Sequence, residues 1–143
     1  MKVTTTVAQP PSATLDKIRM DVITACASGL YMAGEYIMAQ SKDLAPVDTG
    51  NLRASGFVEL PDVSGAVVNV KLGYGGFSAA YALMVHENPR AGKTGGLSPS
   101  GRKYKTWAKV GQWKYLEKPF MEAVAQNITL RFIKQESKRR GLA

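Results

Sequence analysis

Apolar and small residues recur along the first third of the chain at Leu15, Ile18, Val22, Cys26, Gly29, Ala33 and Ile37. Steps of three and four are the spacing of one face of a helix. Asp16, Lys17, Arg19, Asp21 and Thr24 mark much of the other face. The pattern predicts a long helix over residues 13–43. Ser12 or Thr14 would cap it, and Asp16 would fall in its first turn, where a negative charge suits the helix dipole. Residues 1–12, Thr-rich and closing on Pro10-Pro11, read as an extended arm. Pro46 would stop the helix. Its middle is rich in small residues: Ala25, Ala27, Ser28, Gly29, Ala33 and Gly34. A glycine weakens a helix by about 1 kcal/mol relative to alanine. Close approach of another backbone, from a sheet or a neighbouring subunit, would offset that loss.

Next comes "PVDTGNLRAS", which predicts a turn and a short helical segment. The period then changes. Val68, Val70 and Leu72 alternate with Asn69, Lys71 and Gly73, the pattern of a half-buried strand. With "GFVELPDV" before it and turn chemistry in "LPDVSG", the stretch predicts a hairpin over residues 57–74. "SAAYALMVHEN" predicts a short helix with Ser78 as its cap. At the far end, Phe120, Val124, Ile128 and Phe132, with Met121, Leu130 and Ile133 beside them, give the apolar face of a second helix over residues 118–137. Lys138, Arg139 and Arg140 near its end suit the dipole. The chain reads as one α+β domain over residues 1–143: a long N-terminal helix and a C-terminal helix packed on a small antiparallel sheet. No internal repeat interrupts it.

Residues 88–114 fit none of these periods. They carry seven Lys and Arg and no acid, are rich in Gly and Pro at first, and then interleave cations with rings. A structureless segment of this length inside a compact domain is uncommon and usually functional. It reads as an inserted basic loop or arm, with a strand pair in its second half and Gly111 near the turn. Arg90, Lys93, Arg102, Lys103, Lys105, Trp107, Lys109 and Trp113 would be the residues that meet a partner protein or DNA.

Charge sharpens this picture. The chain holds 19 Lys and Arg against 11 Asp and Glu, a formal net +8. That balance favours contact with nucleic acid, an acidic protein surface or an anionic membrane, or belongs to a domain with basic loops. Cys26 is the one cysteine, which excludes an intrachain disulfide; among small apolar neighbours it reads as a small buried hydrophobe. The N-terminus lacks the apolar run of a secretory signal. No run of 18 apolar residues occurs, so no membrane span and no membrane partner are expected.

Four chemistries are tested by the sequence. Asp48-Thr49-Gly50 is the triplet with which an aspartic protease presents a carboxylate, and a homodimer would supply the second one. In such enzymes the triplet ends a hydrophobic strand. Here it follows Ala45-Pro46-Val47 after a long helix and runs into polar, helix-compatible residues. The structural alternative has Asp48 or Thr49 capping a short helix, Gly50 in a tight turn and Leu52 pointing inward. His86-Glu87 is the one pairing of a histidine with a carboxylate. Adjacent residues rarely face one metal, and a closed zinc site needs four ligands, so no metal is expected. "GKTGG" lacks the leading glycine and the strand–helix frame of a phosphate loop. Finally, Lys103, Tyr104, Lys105, Trp107, Lys109, Trp113, Lys114 and Tyr115 alternate charge and ring. Aromatics stack on single-stranded bases while cations hold phosphates, which makes a nucleic-acid-binding module the alternative to an arm that docks on a protein.

The order of these features resembles the tail-completion or head–tail joining proteins of long-tailed bacteriophages. The resemblance covers about residues 13–135. It rests on Pro46, Asp48-Thr49-Gly50, Leu52, Arg53 and Ser55, on Tyr81-Ala82 and His86-Glu87, and on Lys114-Tyr115-Leu116-Glu117-Lys118-Pro119-Phe120. It implies a virion protein of the tail and neck, assembled in the host cytoplasm, with no cofactor and no reaction. Such proteins form a ring, commonly of six, between a head connector or stopper and a tail terminator or tail tube, around the channel through which DNA leaves. Pro46, Asp48, Thr49, Gly50, Leu52 and Arg53 would then form a structural turn, at or near a subunit boundary. Many members carry Glu-Phe-Gly-Thr after the Tyr-Ala pair. Here Glu87 is followed by Asn88-Pro89 and the basic insertion, a departure that leaves the particular ring open.

Overall fold

A computed structural model describes residues 11–47, 49–91 and 111–142. Helix α1 spans Pro11–Leu44 and α2 spans Asn51–Ala54. Strands β1 (Gly56–Val58), β2 (Asp62–Ser64), β3 (Val67–Asn69) and β4 (Leu72–Tyr74) follow. A 3-10 turn at Phe77–Ala79 leads into α3, Ala82–Glu87. Helices α4 (Glu117–Ala125) and α5 (Ile128–Arg139) close the described chain. The class is α+β. α1 is the spine: α4, α5 and the sheet all lie against it.

α1 starts at Pro11, the first-turn position where a missing N–H costs nothing. Ser12 and Thr14 therefore lie inside the helix rather than capping it, and Asp16 sits beyond its first turn. Only half of the predicted apolar stripe is buried. Gly29, Ala33 and Ile37 face the core, Cys26 is half-buried, and Leu15, Ile18 and Val22 are exposed. Ala25, Met38 and Ser41 complete the buried face. Thr14–Leu44 is long and apolar enough, by length and composition, to cross a membrane, which its interrupted apolar runs did not foretell. Its C-terminal half is occupied as core helix by the contacts just named.

The small residues mark close approach. A Cβ on Gly29 would stand 2.6 Å from the Ile133 Cα of α5, so the two backbones meet there. Gly34 faces Val58 and Val70 of the hairpin. Of the two neighbours anticipated for the helical glycines, the hairpin is found at Gly34, through side chains, while the backbone met at Gly29 belongs to α5 of the same chain and not to a sheet or another subunit.

The hairpin forms with an interruption. Gly56, Phe57 and Val58 pair antiparallel with Tyr74, Gly73 and Leu72, while Asp62, Val63 and Ser64 pair with Asn69, Val68 and Val67. Between the two ladders Glu59-Leu60-Pro61 oppose Val70-Lys71, three residues against two. Pro61 has no N–H to give, and the extra residue breaks the ladder as a bulge does. The turn lies at Gly65-Ala66, past the Pro-Asp pair, with glycine first as in a two-residue hairpin loop.

The C-terminal helix is broken in two. Asn127 sits in the left-handed region at φ 53°, a conformation Asn tolerates better than most residues, and the axis changes there. Ala123 and Ile128, one on each side of the break, both reach Ile37 of α1. Phe120, Met121, Val124 and Leu130, expected on the inner face, are exposed instead. Phe132 packs on Tyr36 at 6.2 Å between ring centroids.

Candidate assembly surface

The segments that carry the resemblance converge. Ala45, Leu52, Ala82, Val85, Ala91 and Tyr115 form one buried cluster, with Tyr74, Tyr81 and Trp113 packed against it. Residues 45–52, 82–91 and 113–116 are far apart in sequence and meet at the C-terminal end of α1.

That end is tied by hydrogen bonds. The last carbonyls of a helix have no partner inside it. Arg53 supplies two, donating from Nε to the Ala45 carbonyl at 3.2 Å and from Nη2 to that of Asp43 at 3.1 Å. The Gln112 N–H donates to the Leu44 carbonyl at 2.8 Å. Gly111 allows this approach: its φ is +75°, and a Cβ there would stand 2.5 Å from the Leu44 oxygen. Pro46 is buried and Leu52 points inward, as the sequence predicts. Gly50 adopts φ 87° and is itself the N-cap of α2, with no side-chain cap, so Thr49 does not cap it. Asp48 lies outside the described residues. The segment leading to the triplet is helix, where a protease would have a strand.

Tyr115 is the centre of the junction. It is fully buried, and its hydroxyl donates to the Ala82 carbonyl at 2.9 Å. Its ring meets Tyr74 and His86 edge-on, each at 5.0 Å. Burial pushes its phenol well above the ordinary range. Tyr74 is raised by burial too, and shares a 2.9 Å hydrogen bond with Ser41. Such a tyrosine cannot stack on a base. Trp113 is half-buried, with the Lys118 ammonium 5.7 Å from the centre of a ring. The last members of the basic–aromatic alternation, Trp113, Lys114 and Tyr115, thus serve the core and its rim, not an arm. Arg90 is exposed. Lys93, Arg102, Lys103, Lys105, Trp107 and Lys109 lie outside the described residues, as does "GKTGG". Ser78 falls inside the 3-10 turn, and α3 has Tyr81 as its N-cap without a side-chain cap.

A charged clasp covers the junction. The Lys114 ammonium lies 2.9 Å from a Glu87 oxygen and 2.6 Å from Glu117. The Lys114 backbone N–H donates to the His86 carbonyl at 2.8 Å. His86, Glu87 and Glu117 offer ligand atoms within 4.8 Å of one another, a grouping that Glu117 completes and spacing did not disclose. The Glu117 N–H donates to Nε2 of His86 at 3.3 Å, so the ring proton sits on Nδ1 and is donated to Glu87 at 2.7 Å. The Lys114 ammonium stands as the cation between the two carboxylates. Lys114 and then His86 hold the Glu87 carboxyl below its usual value; Glu117 and then Glu87 raise Lys114.

Outside this junction lies uncovered apolar surface. On α3, Ala82 and Val85 face inward, which leaves Leu83 and Met84 72% and 77% exposed. Phe77 beside them is fully exposed. An open groove of about 610 Å³ runs between the hairpin and the start of α4, lined by Phe57, Val70, Leu72, Leu116 and Phe120. Leu15, Ile18, Met20 and Val22 add a third exposed set on α1. No family model, curated protein or solved structure matches this chain.

Proposed function

We propose that the chain is a structural subunit that assembles with copies of itself into a ring in the neck of a long-tailed bacteriophage and joins the tail to the DNA-filled head. The observation that carries this reading is the exposed apolar surface at three places on a small domain: the start of α1, α3, and the groove between the hairpin and α4. Patches of that kind mark protein interfaces. Apolar sets on elements as far apart in sequence as α1 and α3 suit head-to-tail contacts, which close into a ring when the rotation permits. The fold supports the same reading in a second way. Arg53, Leu52, Tyr115 and Lys114, residues of the resemblance, fix the end of α1 to α2, α3 and α4, which is a scaffolding role. Six copies would carry about six times the net +8, so self-assembly must meet acidic surfaces or bear the repulsion.

The test is co-sedimentation of the purified protein with DNA-filled tailless heads and, separately, with free tails. Saturable binding to one or both, at an integral number of copies per particle, is expected. Binding to neither would remove the neck reading.

A further inference from the structure

Helix α5 has a solvent face of one sign. Arg131, Lys134 and Lys138 are exposed and lie within about 60° of one another around the helix axis, over about 10 Å of its length. Arg140, the C-cap residue of α5, is exposed as well but lies off this stripe. An ordinary surface helix intersperses acids with its bases. The one acid of α5, Glu136, is buried and pairs with Arg139 at 2.8 Å. Among the described residues, no salt bridge reaches Arg131, Lys134, Lys138 or Arg140.

We infer that this stripe is a binding surface for the phosphate backbone of a nucleic acid. Ten ångströms of helix spans about three phosphates of one strand, at roughly 3.4 Å of duplex axis each. Beside the stripe, Tyr36, Phe132, Arg131 and Gln135 line a hollow of about 180 Å³ that also reaches Ile128. A ring, a guanidinium and an amide next to a row of cations is the combination that holds stacked bases and their backbone. A membrane fits less well. A basic amphipathic helix binds lipid by burying its apolar face, whereas Ile128 of α5 is buried against Ile37 and Ala123, and Ile133 meets α1 at Gly29. The inference stands apart from the ring reading, since it needs neither oligomer nor phage.

The test is fluorescence anisotropy of the full chain with labelled single-stranded and duplex DNA across a salt series. Two triple variants are compared: Arg131→Gln, Lys134→Gln, Lys138→Gln on the stripe, and Lys17→Gln, Arg19→Gln, Lys71→Gln elsewhere. All six positions are exposed, and circular dichroism verifies folding. The stripe variant is expected to lower the slope of log K against log salt by about 2 for single strands and nearly 3 for duplex. The control should keep the wild-type slope to within about one contact. An equal loss in both variants would mean net charge alone acts. An unchanged slope in the stripe variant would place any binding elsewhere in the chain. Either result overturns the inference, as does wild-type protein that binds anionic vesicles or polyglutamate as tightly as DNA at equal salt.

Discussion

Arg53 shows how one side chain sets the junction. Its two hydrogen bonds take up carbonyls at the end of α1 that have no partner in the helix. Arg53→Ala should lower stability by about 1–3 kcal/mol in urea unfolding. Arg53→Lys should recover less than half of that, because one ammonium cannot reproduce the planar fork. Full recovery by lysine would show that charge, not geometry, matters. The clasp makes a pH prediction. Glu87 has a lowered pKa, so its contribution is complete above the ordinary 4.5 and is lost as pH falls through the folded value. Lys114 has a raised pKa, so its contribution is complete below the ordinary 10.5 and is lost as pH rises through the folded value. The stability lost in Lys114→Met should therefore be constant between those limits and shrink outside both. A loss that instead changes across neutral pH would contradict the pairing of Lys114 with Glu87 as its source.

At the scale of elements, α1 and α5 meet at Gly29. Helix propensity alone says that Gly29→Ala stabilises by about 1 kcal/mol. The structure gives the opposite sign, because the new Cβ would meet Ile133 backbone atoms that cannot swing away. A net loss of about 1–3 kcal/mol is expected from thermal or urea unfolding. Asn127 holds the break between α4 and α5. Asn127→Ala should cost about 1–2 kcal/mol for the left-handed conformation, and Asn127→Gly much less. Equal effects would mean the bend is imposed from elsewhere. These elements also show what the sequence discloses. α1 and the hairpin were legible because their periods, near 3.6 and 2, differ sharply. The break at Asn127 was not, since Val124, Ile128 and Phe132 keep helical spacing across it. The inner face of α4 was misjudged for a related reason. The small Ala123 and Pro119 are buried while Phe120 and Val124 are not, and size is a poor guide where another surface awaits cover. Tyr115 and Lys114 carried no sequence mark to separate them from the basic–aromatic run before them; only the contacts with Ala82, Glu87 and Glu117 reveal their work.

Among the described residues, a junction tied by hydrogen bonds and packing at the end of α1 is flanked by exposed apolar surface. α1 is anchored at its C-terminal end and bare at Leu15 and Ile18; α3 is anchored through Val85 and bare at Leu83 and Met84. With a net +8, the proposed assembly on an acidic neighbour should weaken as salt rises. Constant assembly from low to high salt would leave apolar contact as the sole driving force. The most direct measurement is a count, by electron microscopy, of joined particles after purified protein is mixed with DNA-filled tailless heads and free tails. Wild-type protein should raise the count, and Leu83→Glu with Met84→Glu, folded by circular dichroism, should not. No rise with wild-type protein, in heads and tails shown competent by other means, would contradict the proposal that this chain joins head to tail.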